Sequence, residues 1–367
     1  MISFENVTKH YEDGTLVVDR LSLTAPTGKL TILVGPSGCG KTTTLRMINR
    51  LIEHSSGKIL LNGQSIEEMD VVKLRRRIGY VIQNAGLFPH KNIIDNIAVT
   101  AILNGATRQA ARKTAHELLE RVGLSAALAT RYPWQLSGGQ QQRVGVARAL
   151  ASDPEFMLMD EPFSAVDPVV REQLQDEFLR LQREIGKTII MVTHDIDEAM
   201  KLGDQVAVLM PGGRLAQMAS PATLLTAPKS PFVADFIGRD RGYRRLTFSP
   251  LHPQLPLQPE PSISVGESVA NARALAQGRW ILVTEDQKPL GWFDVEQTTA
   301  ATVDLHDINL GSTFSPLSGT LRQLTDAVLS SPCQRGIIVD DQQRLLGAMD
   351  FDNVLETLRA SNKEVGL

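Results

Sequence analysis

The sequence predicts an α/β fold with a mainly parallel sheet, followed by a second, smaller α+β domain. Three observations carry this expectation. Short apolar runs alternate with helical stretches from Met1 to about Gly238, a pattern of parallel strands joined by crossover helices. A glycine-rich loop falls between one such run and the helix after it. Beyond a proline-rich segment, a stretch of chain repeats itself.

Leu30–Val34, Phe156–Met159, Thr188–Val192 and Val206–Leu209 are apolar runs of strand length, as expected of strands buried on both faces. The helices between them are predicted over 41–51, 168–184 and 195–201. Pro168 suits a first helical turn, where its missing N–H does no harm. Residues 91–136 break the alternation: they are helix-rich, most clearly over 109–122, and read as an inserted helical subdomain. Next come Arg239, Arg241, Arg244 and Arg245, then Pro250, Pro253, Pro256, Pro259 and Pro261. So many prolines favour an extended, semi-rigid linker over residues 239–261. After it, residues 281–294 (ILVTEDQKPLGWFD) align without gaps on residues 337–350 (IIVDDQQRLLGAMD), with six of fourteen positions identical. Each copy reads as strand, polar turn, strand, and each follows a helical stretch (268–277 and 320–330). The three segments are therefore 1–238, 239–261 and 262–360.

The 367 residues suffice for two domains. Lys plus Arg total 38 against 41 Asp plus Glu, a net charge of −3. That balance argues against a nucleic-acid partner, whose binding rests on phosphate neutralisation. Two cysteines, Cys39 and Cys333, make no disulfide framework and fit a reducing compartment. The N-terminal residues carry early charges and no signal-like apolar core. No run approaches the roughly 18 apolar residues that span a bilayer. The chain is expected to be cytosolic, or to reach a membrane only through a partner.

Gly35-Pro36-Ser37-Gly38-Cys39-Gly40-Lys41-Thr42 fits the phosphate-loop pattern G-x-x-x-x-G-K-[ST]. Its glycines let backbone N–H groups face phosphates, and the following helix adds the positive end of its dipole. Lys41 is expected on the β- and γ-phosphates, and the Thr42 hydroxyl on Mg²⁺. Cys39 occupies a free position of the pattern and reads as a small filler. The run Phe156–Met159 would deliver Asp160 to the C-terminal edge of the sheet as a Mg²⁺ partner, and would place Glu161 to polarise a water for attack on the γ-phosphate. Leu136-Ser137-Gly138-Gly139-Gln140, ahead of a helix, makes a second anion-accepting N-terminus. A chain with one phosphate loop has no evident use for it in cis; a second subunit sharing the nucleotide does.

With these motifs in place, residues 1 to about 238 resemble the nucleotide-binding subunit of an ABC transporter. The signature sequence corresponds to Leu136–Gln140, the glutamine loop to Gln83, the aspartate loop to Asp167 and the switch histidine to His194. Tyr11 falls where the family stacks an aromatic ring on adenine. The resemblance implies a P-loop ABC ATPase domain that uses ATP and Mg²⁺. Tyr11, Gly35–Lys41, Thr42 and Thr43 would hold ATP. Ser137, Gly138, Gly139, Gln140 and Asp167 would reach a partner's ATP in trans. Thr42, Gln83 and Asp160 would serve Mg²⁺, and Glu161, His194 and Gln83 would serve hydrolysis. It also implies a homodimer, transmembrane permease subunits that seat a coupling helix on the helical subdomain, and, through these, an extracytoplasmic substrate-binding protein.

The wording around Gln83, with Gly86-Leu-Phe-Pro-His90, and the repeat behind a linker resemble importers of quaternary-amine osmoprotectants such as glycine betaine. Their ATPases end in tandem CBS modules, and Leu290–Glu296 is similar to these. One feature departs from nucleotide-binding CBS modules. Where those place Ser or Thr and, three residues on, a ribose-binding Asp, this chain has Asp294 and Gln297, and Asp350 and Asn353. A carboxylate there repels phosphate, so the expectation is a regulatory pair responding to ionic conditions, with an acidic surface (11 basic, 15 acidic residues after residue 240). An importer ATPase for another small solute and a soluble ABC ATPase acting on ribosomes or DNA are the alternative readings. The second usually needs two cassettes or a long coiled-coil insertion, and this sequence has neither.

Overall fold

The computed structural model describes residues 1–83, 85–164, 166–238, 240–251, 255–309 and 314–364. The chain divides into two units, Met1–Gly238 and Arg239–Leu367.

The first unit begins with β1 (Ile2–His10), β2 (Leu16–Ala25), β3 (Leu30–Val34), α1 (Lys41–Ile48), β4 (Ser56–Leu61), β5 (Gln64–Ser65), α2 (Val71–Arg76) and β6 (Ile78–Val81). Helices α3 (Ile93–Leu103), α4 (Arg108–Arg121) and α5 (Gly138–Leu150) follow. The chain then returns through β7 (Phe156–Asp160), α6 (Pro168–Ile185), β8 (Thr188–Val192), α7 (Ile196–Leu202), β9 (Gln205–Met210) and β10 (Arg214–Ala219) to α8 (Pro221–Thr226) and α9 (Pro231–Ile237).

Two sheets result. The larger has strand order β10-β9-β3-β8-β7-β6, parallel throughout except for the antiparallel β9–β10 edge. The smaller, β2-β1-β4-β5, is antiparallel. The side-chain period of two divides each central strand between two cores. In β7, Met157 and Met159 face the helices α3–α6, whereas Phe156 and Leu158 join α1 and the antiparallel sheet. Leu30, Ile32 and Val34 of β3 split from Leu33 in the same way.

The four apolar runs and the inserted helices occur where the sequence places them. α1 stops short of the predicted Leu51, because Asn49 leaves the helical region and Arg50 adopts a positive φ of 52°. α7 starts at Ile196, with Asp195 outside it as N-cap: its carboxylate accepts from the N–H groups of Asp197 and Glu198. The antiparallel sheet is absent from the sequence reading. Its strands carry polar residues on one face, so no continuous apolar run announces them.

The second unit opens with α10 (Arg241–Arg245). Its first copy of the repeat is β11 (Ser262–Ser264), α11 (Val269–Leu275), β12 (Trp280–Glu285), β13 (Lys288–Asp294) and β14 (Ile308–Asn309). The second is β15 (Phe314–Pro316), α12 (Leu321–Ser330), β16 (Arg335–Val339), β17 (Leu345–Asp350) and α13 (Phe351–Glu364). In both copies a parallel pair (β11–β12, β15–β16) sits beside an antiparallel hairpin (β12–β13, β16–β17). Leu282 and Trp292 of one copy pack with Ile337, Val339 and Ala348 of the other.

The prolines of residues 239–261 predict an extended, semi-rigid linker outside any core, but part of the segment is packed. Leu251 is buried in the core of the second copy, with Leu246, Leu255 and Leu257 against it. Pro250 and Gln258 bridge to Thr320 and Ala348. Leucines between the prolines give this extended segment an apolar side to bury, and extended backbone is what proline favours. Arg244 of the basic cluster is half-buried and pairs with Asp240 at 2.9 Å. Arg239 and Pro253 lie outside the described residues.

Candidate functional site

The parallel sheet presents the C-terminal ends of β3, β7 and β8 along one edge, where α/β sheets bind ligands. β3 leads directly into the loop Gly35–Gly40, which turns into α1. Two glycines of that loop have no substitute. A Cβ on Gly35 would stand 2.5 Å from the Leu209 carbonyl oxygen and 2.7 Å from Cys39 Sγ. Gly40, at φ +91°, would bring one to 2.6 Å from the Val17 carbonyl oxygen. Gly40→Ala is therefore expected to weaken ATP binding at least about tenfold, the equivalent of ~1.4 kcal/mol, through left-handed strain and a backbone clash together. Fluorescent-nucleotide titration of the purified chain checks this, and an unchanged Kd contradicts it.

Lys41 is only 7% exposed. Its ammonium donates to the carbonyl oxygens of Gly35 (2.8 Å) and Pro36 (3.0 Å), so it is held over the mouth of the loop. Cys39 is buried 3.8 Å from Lys41 Nζ, and burial pushes its thiol pKa up. A thiol so held is a filler and no nucleophile. The Thr42 hydroxyl donates to Asp160 Oδ1 at 2.9 Å. Asp160, at the end of β7, is also approached by the Tyr80 hydroxyl at 3.5 Å and Arg46 at 3.6 Å. The pairing of a threonine hydroxyl with a buried carboxylate at the loop's end is an oxygen donor set of the kind Mg²⁺ takes with phosphate oxygens. Among the described residues no group of three or more His, Cys, Asp or Glu is placed to hold a metal ion.

Glu161 follows at a positive φ of 47°, its N–H donating to the Val192 carbonyl of β8 at 2.9 Å. Strained backbone of this kind is held only where surroundings fix it. It turns the carboxylate toward Gln83, whose Nε2 donates at 3.2 Å, and toward His194, whose Nδ1 lies 3.2 Å from the same oxygen. Gln83 comes from the end of β6 and His194 from the end of β8. Three motifs distant in the chain, with Gln83 and Glu161 alone 78 positions apart, thus meet on one carboxylate. Ser37–Thr43, Val17, Glu161 and His194 line a cleft of about 640 Å³. Tyr11 stands at its margin, exposed, its hydroxyl 3.4 Å from Thr43 Oγ1.

The signature residues are absent from this cleft. Ser137 caps α5: its hydroxyl accepts from the Gln140 N–H, and Gln140 Oε1 accepts from the Ser137 N–H at 3.0 Å. Gly138 and Gly139 form the first turn behind it. Asp167 is exposed just before α6, and its carbonyl accepts from Arg171 N at 2.8 Å. The other end of α5 serves the glutamine loop, where Arg148 donates to the carbonyls of Ala85 and Gly86. Burial lowers the pKa of this guanidinium. Arg148 also lines a groove of about 390 Å³ between α2, β6, α3 and α5, together with Val72, Arg75, Arg76, Tyr80 and Leu103.

Tyr80, Arg46, Val17 and Arg148 escaped the sequence reading. Only Tyr80 carried a signal, since it stands in the strand that delivers Gln83.

A phosphate loop, an acidic pair at the end of another strand of the same parallel sheet and a glutamine and histidine converging on it define a P-loop ATPase of the ATP-binding-cassette class. Residues 18–164 match the family model described as "ABC transporter". An osmoprotectant import ATP-binding protein of Salmonella typhimurium is 42% identical, over 98% of this chain and 96% of its own length. A choline transport ATP-binding protein of Bacillus subtilis is 38% identical, over 100% and 99%. A solved dimeric ATP-binding cassette, in a post-hydrolysis state with ADP and Pi, superposes with a TM-score of 0.55 at 33% identity, covering 60% of this chain and 99% of that one. The chain belongs to the ABC transporter family and is one of its ATP-hydrolysing subunits.

Proposed function

We propose that this chain powers an importer of quaternary-amine osmoprotectants, glycine betaine, choline and carnitine being the candidate class. The observation that carries the reading is end-to-end similarity, second unit included, to ATP-binding subunits named for osmoprotectant and choline transport. In the cleft, Lys41 and the loop N–H groups bind the β- and γ-phosphates and Tyr11 stacks on adenine. Glu161 orients the attacking water, and His194 holds both that carboxylate and the γ-phosphate. Thr42, Asp160 and Gln83 would hold Mg²⁺, which would supply positive charge beside the phosphates. The second half of each site is Ser137, Gly138, Gly139, Gln140 and Asp167 of another copy.

The groove beside Arg148 suits a permease coupling helix at the membrane's cytoplasmic face. Its lining offers exposed Val72 and Leu103 and the arginines 75, 76 and 148, with no carboxylate. A short helix with one apolar face and an acidic residue complements it. Arg148 would pass such a contact to the glutamine loop and, along α5, to Ser137. The extracytoplasmic binding protein acts through the permease.

The second unit is read as a tandem CBS pair. Its departures from nucleotide-binding modules have local structural uses. Asp294 takes both Nε and Nη2 of Arg279 (2.8 and 2.7 Å), and its other oxygen accepts from the N–H groups of Glu296 and Gln297. Asp350 accepts from Asn353 N and Nδ2 at 2.8 and 2.7 Å. Carboxylates so engaged make turns, and Asp294 is already paired with a guanidinium.

Reconstitution with the cognate permease and binding protein tests the reading. ATP-dependent uptake of radiolabelled glycine betaine or choline is expected, rising with internal ionic strength. Deleting residues 239–367 should flatten the salt response and leave uptake in place. Uptake of neither substrate, with hydrolysis intact, refutes the substrate class; an unchanged salt response in the shortened chain refutes the regulatory role of the second unit.

A further inference from the structure

We infer that Glu198 is a positioning residue for hydrolysis: through the Thr193 hydroxyl it locks the turn that carries His194, and it ties that turn to the helix behind Asp167. The inference rests on the role of His194 proposed above.

Glu198 is a carboxylate only 5% exposed, in the first turn of α7, and it lines neither the nucleotide cleft nor the arginine-rich groove. A buried carboxylate is costly unless something fixed requires it. Its partner is the hydroxyl of Thr193, itself 1% exposed, which donates to Glu198 Oε2. The same Thr193 oxygen accepts from the Asp195 N–H at 3.0 Å, and the Thr193 N–H donates to the Leu33 carbonyl of β3 at 3.2 Å. In an ordinary capping box the residue at this helical position reaches the N-cap N–H directly. Here the threonine hydroxyl is interposed. Both neighbours of His194 are thereby fixed, while the imidazole remains exposed and placed on Glu161.

A second set of contacts runs to α6. Gln175, also buried, acts on Glu198 from α6, and Glu198 Oε1 itself accepts no hydrogen bond among the described residues. Arg171 draws its charge, lies 3.9 Å from Asp195, and donates through Nη2 to the Val166 carbonyl at 3.0 Å. Val166 immediately precedes Asp167. The chain thus links the loop that would face a partner's nucleotide to the loop that acts on its own. Desolvation raises the Glu198 pKa and Asp195 adds to this, while the bond from Thr193 and the nearby Gln175 and Arg171 oppose it. The interaction needs an acceptor oxygen at this place, which glutamine also supplies.

Steady-state ATPase kinetics of the full chain in its permease complex, with variants in pairs, provide the test. Glu198→Ala and Thr193→Val should each lower kcat about tenfold or more with the KM for ATP within about twofold, while Glu198→Gln and Thr193→Ser stay within about threefold of wild type. In a His194→Ala background, adding Glu198→Ala should change the residual rate by less than about twofold, because a group acting through His194 has nothing left to position. The inference is overturned if Glu198→Ala leaves kcat intact, if Thr193→Ser and Thr193→Val behave alike, or if Glu198→Ala reduces the His194→Ala rate by the factor seen in wild type. Should Glu198→Ala fail to fold, the threonine pair decides. A His194→Ala chain with full activity would refute the role of the histidine itself, and it does so independently of the other variants.

Discussion

Glu161→Gln is expected to lower ATP turnover by about 10²–10³-fold, roughly 2.7–4 kcal/mol of barrier, with ATP affinity almost unchanged. The separation follows from geometry. Glu161 is the point where Gln83 and His194 converge, whereas Lys41, Thr42 and the loop backbone belong to a separate segment lining the same cleft and make no bond to that carboxylate. Glutamine keeps the shape and can still accept from His194, but it no longer offers a carboxylate to polarise water. Loss of a negative charge from each of two facing sites should also hold the closed dimer together. Phosphate release and nucleotide titration measure the first effect, and size-exclusion chromatography with ATP measures the second. Normal turnover with monomer only would remove Glu161 from this role.

The parts of this site legible in the sequence are those that chain order makes contiguous. Gly35–Thr42 and Phe156–Glu161 each combine a buried strand with the residues it delivers, so the apolar run and the chemical motif reinforce one another. Contacts between distant segments are different in kind. Nothing in the spacing says that Tyr80 and Arg46 approach Asp160, or that Arg148 reaches back to Ala85 and Gly86, because sheet order β3-β8-β7-β6 is not sequence order. The Thr193–Glu198 pair is local, yet it was hidden for another reason: the side chains resemble an ordinary helix start, and only burial reveals what holds them.

The second unit shows where repetition ceases to inform. Residues 281–294 and 337–350 align and both form a hairpin, but the pairing is displaced by one residue: Trp280 faces Asp294, whereas Asp350 is faced by Arg335, the residue before the aligned Gly336. Immediately afterwards the copies part. Phe351–Glu364 continues as a helix with Val354 buried. After Asp294 the chain has Thr298, Thr299 and Thr302, whose branched side chains disfavour helix. Val303 is drawn instead into the first core and bonds through its backbone to Gly266 and Glu267. The proline-rich segment misled in the opposite sense. Its prolines set an extended backbone correctly, but its leucines decided that the backbone would be packed.

Ser137→Arg is expected to abolish hydrolysis by the dimer while leaving the same chain able to bind ATP. Ser137 is spent in capping α5, and the cleft of its own chain is lined without it. If it meets nucleotide at all, that nucleotide belongs to another copy. An arginine there removes the cap oxygen, at a cost of about 1 kcal/mol to the helix start. It also puts a bulky cation at the N-terminal end of α5, against the positive end of the dipole and in the path of the facing phosphates. Complementation separates this trans arrangement from simple damage. Lys41→Ala loses its own phosphate site and keeps an intact Ser137; Ser137→Arg is the reverse. Mixed in equal amounts, the two form a heterodimer with one complete composite site, from the Lys41 of one chain and the Ser137 of the other, and one site doubly broken. Neither variant alone should hydrolyse ATP, and the mixture should recover measurable turnover. Loss of ATP binding by isolated Ser137→Arg, or a mixture as inactive as its parts while still forming heterodimers, would place the signature residues outside a shared site.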